Sequence, residues 1–375
     1  MTGGVLVLNA GSSSLKYRVL DPDTEETALR GTVERVDETG WDHAFAQVTR
    51  ALDEQGANDL VAVGHRVVHG GDRYTRATLV DDDVERGIEE LVALAPLHNP
   101  PALAGLRATR AALPGLPQVA VFDTAFFAGL PAAAATYAVD REVTAGRGIR
   151  RYGAHGISHE FVAGEAARFL DRPSGELALV TLHLGNGASA AAIRAGRPVD
   201  TSMGLTPLEG LVMGTRPGDV DAGVLLHLLR DGYDAESLEE LLHHRSGLQG
   251  LAGRHDFRDL LAAVESGDEH ARTAYDVYCH RLRKYVGAYL AVLGGADALV
   301  FTAGVGERVA RVRADALRGL DALGVEVDPV RNQTQGDDPR RIGADGSRVE
   351  VLVVPTDEEL AIVRQVREVL AGPPA

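Results

Sequence analysis

Apolar positions along the chain fall into short β-rich runs and one long helical stripe. Residues 5–8 and 15–20 are apolar runs separated by Asn9-Ala-Gly-Ser-Ser-Ser14, which predicts a hairpin with a polar tip. Runs at 61–68 and 118–122 flank helical apolar spacing from 84 to 94, with a proline-rich break between Pro96 and Pro101. A second unit opens after Tyr152: residues 177–184 are almost wholly apolar, followed by Gly185-Asn-Gly-Ala-Ser189 and another strand through 193. Ala271, Ala274, Tyr275, Tyr278, Leu282, Val286, Tyr289 and Leu293 recur at helical spacing and predict one long helix. Then come a strand at 298–302, the turn Ala303-Gly-Val-Gly-Glu307, a strand at 349–354 and a helix at 358–370. The Asp-, Arg- and Gly-rich stretch 335–348 reads as an exposed loop.

A strand, glycine turn, strand opening thus recurs in both halves, which predicts two similar α/β domains facing each other across a ligand cleft. The length of 375 residues, above the roughly 100–200 of one domain, agrees with that. A formal net charge of −16 with no Lys/Arg run argues against a nucleic-acid partner, whereas a small anion held by a few placed arginines fits. Cys279 is the sole cysteine, so no internal disulfide or Cys-ligated metal is possible, and a reducing cytoplasm is the expectation. No apolar run approaches ~18 residues and the first residues lack a signal-peptide pattern, so a soluble protein without membrane contact is expected.

Three turns directly follow apolar strands and combine glycine with hydroxyl, amide or cationic groups: Asn9-Ala-Gly-Ser-Ser-Ser-Leu-Lys16, His183-Leu-Gly-Asn-Gly-Ala-Ser189 and Thr302-Ala-Gly-Val-Gly-Glu307. Glycine lets backbone N–H groups converge closely on phosphate oxygens. Any one of these turns is most simply an ordinary turn; three together point to a nucleotide. The Walker pattern is absent, and no Gly-x-Gly-x-x-Gly opens a helix after the first strand, so the P-loop and Rossmann folds are disfavoured. Asp123, ending an apolar strand, is read as either functional or tightly ion-paired, and the residues alone leave both open.

Asn9-Ala-Gly-Ser-Ser-Ser-Leu-Lys16 and Gly64-His-Arg-Val-Val-His-Gly-Gly71 resemble the two signature segments of acetate kinases. Similar to that family as well, and in family order, are Ala95-Pro-Leu-His-Asn-Pro-Pro101, Val121-Phe-Asp-Thr-Ala-Phe126, His183-Leu-Gly-Asn-Gly187, Thr206-Pro-Leu-Glu-Gly210, Met213-Gly-Thr-Arg216, Asp256-Phe-Arg-Asp259, Phe301-Thr-Ala-Gly304 and Pro355-Thr-Asp-Glu-Glu-Leu360. The resemblance implies the actin, sugar kinase and Hsp70-like fold, in which two ribonuclease-H-like α/β domains clamp ATP. The expected division is 1–126 with 361–375 as the N-terminal domain and 127–360 as the nucleotide-binding domain. It also implies Mg²⁺, with Mn²⁺ as a substitute, and a homodimer.

The activity implied is reversible phosphoryl transfer from ATP to acetate, giving acetyl phosphate and ADP. Arg66 and Arg216 would contact substrate or the transferring phosphoryl group, His155 would donate to its equatorial oxygens, and Asp123 would be an essential carboxylate. Glu358 matches the position assigned to the metal, with Asn9 close by. Ser12, Ser14 and Lys16 would lie near the phosphates, while His183, Asn186, Gly187, Asp256, Phe257, Arg258, Gly304 and Gly306 resemble the nucleotide-binding set. Of His65, His69, His98, His159 and His183, which lie in the matched segments, most are read as structural.

By resemblance Arg66, Val68, Leu97, Ala154 and Pro207 form the acyl pocket. Ala154 stands where the family usually has Phe, so a larger pocket that accepts propionate or butyrate is the closest alternative. Further departures are Phe127 for a common His, Pro217 after Arg216, and Asp357 for a common Asn. The remaining alternative is a catalytically silent, actin-like nucleotide-binding regulator, which would have lost the arginines or carboxylates that this chain keeps.

Overall fold

The computed structural model describes residues 3–11, 14–34, 36 and 40–372. It divides into two compact units, one made of Met1–Ala128, Ala154–Ser158 and Asp357–Ala375, the other of Gly129–Gly153 and His159–Thr356.

Unit 1 is built on β1 (Gly4–Ala10), β2 (Ser14–Leu20), β3 (Thr27–Glu34), β4 (Leu60–Val67), β5 (Thr78–Leu79) and β6 (Gln118–Phe122), in sheet order β3-β2-β1-β4-β6-β5. The first three strands form an antiparallel meander, and β4 and β6 then add in parallel. Alternation gives each strand two faces. Leu6 and Leu8 join a cluster with Trp41, Phe45, Val48 and Leu52. The opposite face receives the helix Glu358–Ala371: a Cβ on Gly64 would lie 2.6 Å from Ile362, so only glycine lets that helix approach β4.

Unit 2 repeats the plan with β7 (Ala178–Leu184), β8 (Ala188–Arg194), β9 (Arg197–Thr201), β10 (Ala298–Thr302), β11 (Arg340–Arg341) and β12 (Glu350–Val353), in order β11-β12-β10-β7-β8-β9. Here too the first three strands are antiparallel, and β10 and β12 then add in parallel. Read from its third strand and numbered within its own unit, each sheet runs 3-2-1-4-6-5, with the two-residue fifth strand at the edge, so the fold is two ribonuclease-H-like α/β units. The predicted long helix spans Glu269–Leu293 and buries its whole apolar stripe, Ala271 through Leu293, packing on β8 and β7.

Several expectations need correction. Pro100 and Pro101 do not break the chain; they occupy the first turn of the helix Asn99–Ala112, where a missing N–H costs nothing. The segment after β10 is a short helix, Ala303–Arg308, and not only a turn. β3 and β9, absent from the sequence reading, are half-exposed outer strands of the meanders whose polar residues hide the β pattern. No described helix is long and apolar enough to cross a membrane.

Candidate active site

In unit 1 the ends of three neighbouring strands bring charged groups together. Arg66 is one residue before the end of β4, Asp123 directly follows β6, and Asn9 sits near the end of β1. Arg66 Nη2 donates to Asp123 Oδ2 at 2.6 Å, its Nη1 donates to Asn9 Oδ1 at 3.3 Å, and its Nε lies 3.6 Å from Glu358 Oε2. Glu358 arrives there as the first residue of the C-terminal helix, whose N-cap, Asp357, accepts from Leu360 N. Both oxygens of Asp357 also take Arg18 Nη1 at 2.7 Å, so the Asn-to-Asp departure at 357 is matched by a cation on β2.

Asp123 is 1% exposed. Burial raises its carboxyl from the ordinary carboxylate range to about 6, opposed by Arg66 and assisted by Glu358. Arg66, although desolvated, is held above its ordinary value by Asp123 and Glu358. Asp123 Oδ1 is buried with no hydrogen-bond partner among the described residues. Such an orphaned oxygen is costly unless something absent from the chain itself meets it. Lys16 is exposed and pairs across the β1–β2 ladder with Asn9, while Ser14 opens β2; Ser12 lies outside the described residues.

The segment 154–158 is pinned to Asp123 by its backbone. Gly156 N donates to Asp123 O at 2.9 Å, and a Cβ at 156 would stand 2.1 Å from that oxygen, so glycine is required. His155, next to it, adopts φ +57°, a left-handed conformation costly for a residue with a Cβ and of the kind stored at functional sites. Ala154 is buried, Val68 half-buried and Leu97, at 37% exposure, one of the few large apolar side chains of unit 1 left open. Phe127 is a core residue packed edge-on to Phe126.

In unit 2 the β7–β8 hairpin turn Gly185-Asn186-Gly187 and the loop carrying Arg216 are locked together. Gly214 N donates to Asn186 O at 2.9 Å, and a Cβ on Gly214 would collide with the Asn186 side chain. Gly247, with φ +59°, packs against the Met213 and Arg216 carbonyls, and Ser246 N and Gln249 N bond Thr215 O and Gly214 O. Arg216 is half-buried, and its Nη1 contacts Pro207 O at 3.3 Å and Met213 Sδ at 3.9 Å. No carboxylate pairs with it among the described residues, and burial lowers its pKa. A desolvated cation without a counter-charge is costly unless an anion meets it.

His183, the next-to-last residue of β7, is buried, its ring 6.3 Å from that of His159. His159 bridges Thr181 and Ser189 across β7 and β8, and His65 bonds Gln118 across β4 and β6, so both are structural as expected. His69 likewise sits in a core exchange with Asn99. Asp256 caps the helix Phe257–Glu265 and pairs with Arg258, whose side chain is 90% exposed; Phe257 packs on Tyr278. Their link to the hairpin turn runs through His255, which contacts Gln249. Gly304 and Gly306 lie in the helix Ala303–Arg308 directly after β10. Glu307, Arg313 and Arg340 hold that helix and were not singled out by the sequence; nothing in the local pattern marks Arg313 as buried.

No group of three or more His, Cys, Asp or Glu side chains converges among the described residues, so an all-protein metal cage is not present there. Asp123 with its free Oδ1, Glu358 and Asn9 instead match the donor set of Mg²⁺, which typically takes one or two carboxylates and fills the rest with phosphates and water.

The acetokinase family model matches residues 36–364. The crystal structure of Porphyromonas gingivalis acetate kinase is similar at 38% identity, covering 98% of this chain and 100% of that one, with a TM-score of 0.93. A propionate kinase from Francisella tularensis subsp. tularensis SCHU S4 is similar at 36% identity, with coverage of 97% and 99% and a TM-score of 0.92. Acetate kinase from Entamoeba histolytica follows at 30% identity, coverage of 97% and 99%, and a TM-score of 0.89. Taken with the paired ribonuclease-H-like sheets and the retained arginines and carboxylates, these matches establish that the chain belongs to the acetokinase family.

Proposed function

We propose that this chain is an ATP-dependent acyl kinase that moves a phosphoryl group reversibly between ATP and a short-chain carboxylate, acetate first. The observation that carries the reading is Arg216, a half-buried guanidinium with no carboxylate partner among the described residues. A carboxylate substrate is ionised at neutral pH, so attack on the γ-phosphorus needs no general base. Catalysis is then positioning and charge stabilisation. Arg66 and Arg216 hold the two anions, and His155 donates to the oxygens of the group in flight. Unit 1 acts as the N-terminal domain and unit 2 as the nucleotide-binding domain, through His183, Asn186, Gly187, Asp256, Phe257, Arg258, Gly304 and Gly306. Ser14 and Lys16 sit near the phosphates.

Mg²⁺, with Mn²⁺ as a substitute, would be held by Glu358 and Asn9, and Asp123 Oδ1 is a third oxygen suited to it. When bound, the ion neutralises phosphate charge. Asp123 meanwhile orients Arg66 through their 2.6 Å hydrogen bond.

A second reading, propionate or butyrate kinase, rests on Ala154. This small buried residue stands where the family has Phe, and the lost side-chain volume favours a longer acyl chain. Homodimer formation is supported by the helix Ala222–Arg230, which buries none of its residues and leaves Val224, Leu226 and Leu229 exposed. The buried Cys279, its thiol pushed up to about 12 by burial, is compatible with a cytoplasmic protein.

The decisive assay is ADP release with Mg-ATP and acetate, propionate or butyrate, with hydroxylamine trapping the acyl phosphate. Acyl hydroxamate that requires a divalent ion is the expected product. ATP binding without phosphorylation of any carboxylate would favour a silent nucleotide-binding regulator.

A further inference from the structure

One turn in unit 2 is held in a conformation its own residues disfavour. Thr302 ends β10 extended at φ −149°, and Ala303 then turns to φ +62°, where its Cβ is crowded. Such strain persists only where the surroundings over-determine it. Here a single oxygen does so: Glu307 Oε1 accepts from Ala303 N at 2.8 Å, from Thr356 N at 3.1 Å and from Thr302 Oγ1 at 3.4 Å. Glu307 Oε2 has no hydrogen bond among the described residues.

The far end of the same turn is fixed as firmly. Arg313, fully buried, donates from Nη1 to Gly306 O at 2.8 Å and Glu307 O at 2.9 Å, while Nε and Nη2 bond Asn332. Arg340 Nη2 adds a third donor, to Glu307 O at 2.8 Å. Arg313 meets no carboxylate among the described residues, and burial lowers its pKa to about 10, so it remains charged at neutral pH.

We infer that Glu307 is a positioning residue for the nucleotide, fixing the Ala303–Gly306 backbone by tying Ala303 to Thr356. The inference rests on the proposed role of Gly304 and Gly306 and goes beyond it, because Glu307 acts through the backbone of the turn. What matters is an acceptor at the reach of Oε1, not the negative charge.

The test is ADP affinity by calorimetry and steady-state kinetics for wild type, E307Q, E307D, E307A and E307A/A303G, with thermal melts as folding controls. Gln retains the acceptor and places its amide where Oε2 has no partner, so E307Q stays within about threefold of wild type. E307A and E307D lose the bond to Ala303 N and weaken ADP and the KM for ATP by about 10-fold, the scale of one lost hydrogen bond, with kcat and the carboxylate KM changing less. Glycine carries no left-handed penalty, so A303G restores part of the loss in the E307A background. A folded E307A or E307D that binds ADP like wild type overturns the inference, as does an E307Q as damaged as E307A. If E307A does not fold, E307D against E307Q decides. A wild type that binds no ADP removes the nucleotide reading itself, and this inference with it.

Discussion

Arg66 in unit 1 and Arg216 in unit 2 are both half-buried, and their surroundings are opposite in kind. Arg66 lies within a set of groups on its own unit, bonded to Asp123 and Asn9 and close to Glu358. Among the described residues, Arg216 hydrogen-bonds only a carbonyl and a thioether and has no carboxylate partner. The first is held in place by the fold; the second is held by its backbone, through Gly214, Gly247 and their hydrogen bonds, and keeps its charge for something else. Removing either should harm activity, but only one removal should harm the protein.

The largest effect expected is therefore on Arg216→Met. It lowers kcat/KM by about 10³-fold, the range for loss of one donor to a transferring phosphoryl group, and leaves urea stability unchanged within ~0.5 kcal/mol. A stability loss as large as that of an Arg66 variant would erase the distinction. Arg66→Ala should cost activity and, in the same urea titration, about 3 kcal/mol, because Asp123 is left buried without its cation. Combining it with Asp123→Asn should recover part of that stability and none of the activity.

A pH experiment sharpens the picture one residue away. His65 precedes Arg66 on β4 and is wholly buried, and burial lowers its pKa to about 4. Its folded value lies below the unfolded one near 6.5, so its contribution is full above pH 6.5 and is lost as pH falls toward 4. By linkage this amounts to about 2 kcal/mol between pH 7.5 and 5. His65→Gln should remove that much of the acid sensitivity; equal slopes for variant and wild type would show that His65 is not the group responsible. The smallest effect expected is specificity: Ala154→Phe should shift the acetate-to-butyrate ratio of kcat/KM by about 10-fold toward acetate, roughly 1.4 kcal/mol. An unchanged ratio would place Ala154 outside the acyl pocket.

Much of the fold was legible because its strands are apolar and bounded by glycine. Residues 118–122 and 298–302 stand out as strands whose ends the structure reproduces, and the stripe from Ala271 to Leu293 needs only its period to be read as a helix. Asp123 was legible as an anomaly, a carboxylate at the end of a buried run. What it pairs with was not, since Arg66 is 57 positions away and only the parallel register of β4 and β6 makes them neighbours. Arg313 was illegible for a different reason. It sits among charged neighbours in a helix, and its burial follows from Asn332 and the carbonyls of a turn that no local pattern joins to it. The role of Pro100 was misread because proline ends or begins a helix with the same two letters.

The bidentate grip of Arg18 on Asp357 joins positions 339 apart in the chain. At a synthesis rate of roughly 5–20 residues per second, that interval is roughly 20–70 s. All strands of the other unit are synthesised within that interval, between β4 and the helix whose Ile362 packs on Gly64. The order of birth is thus the reverse of the order in the sequence: the unit that begins first is completed last. The face of β4 that packs on Ile362 is completed only by the helix that carries Glu358.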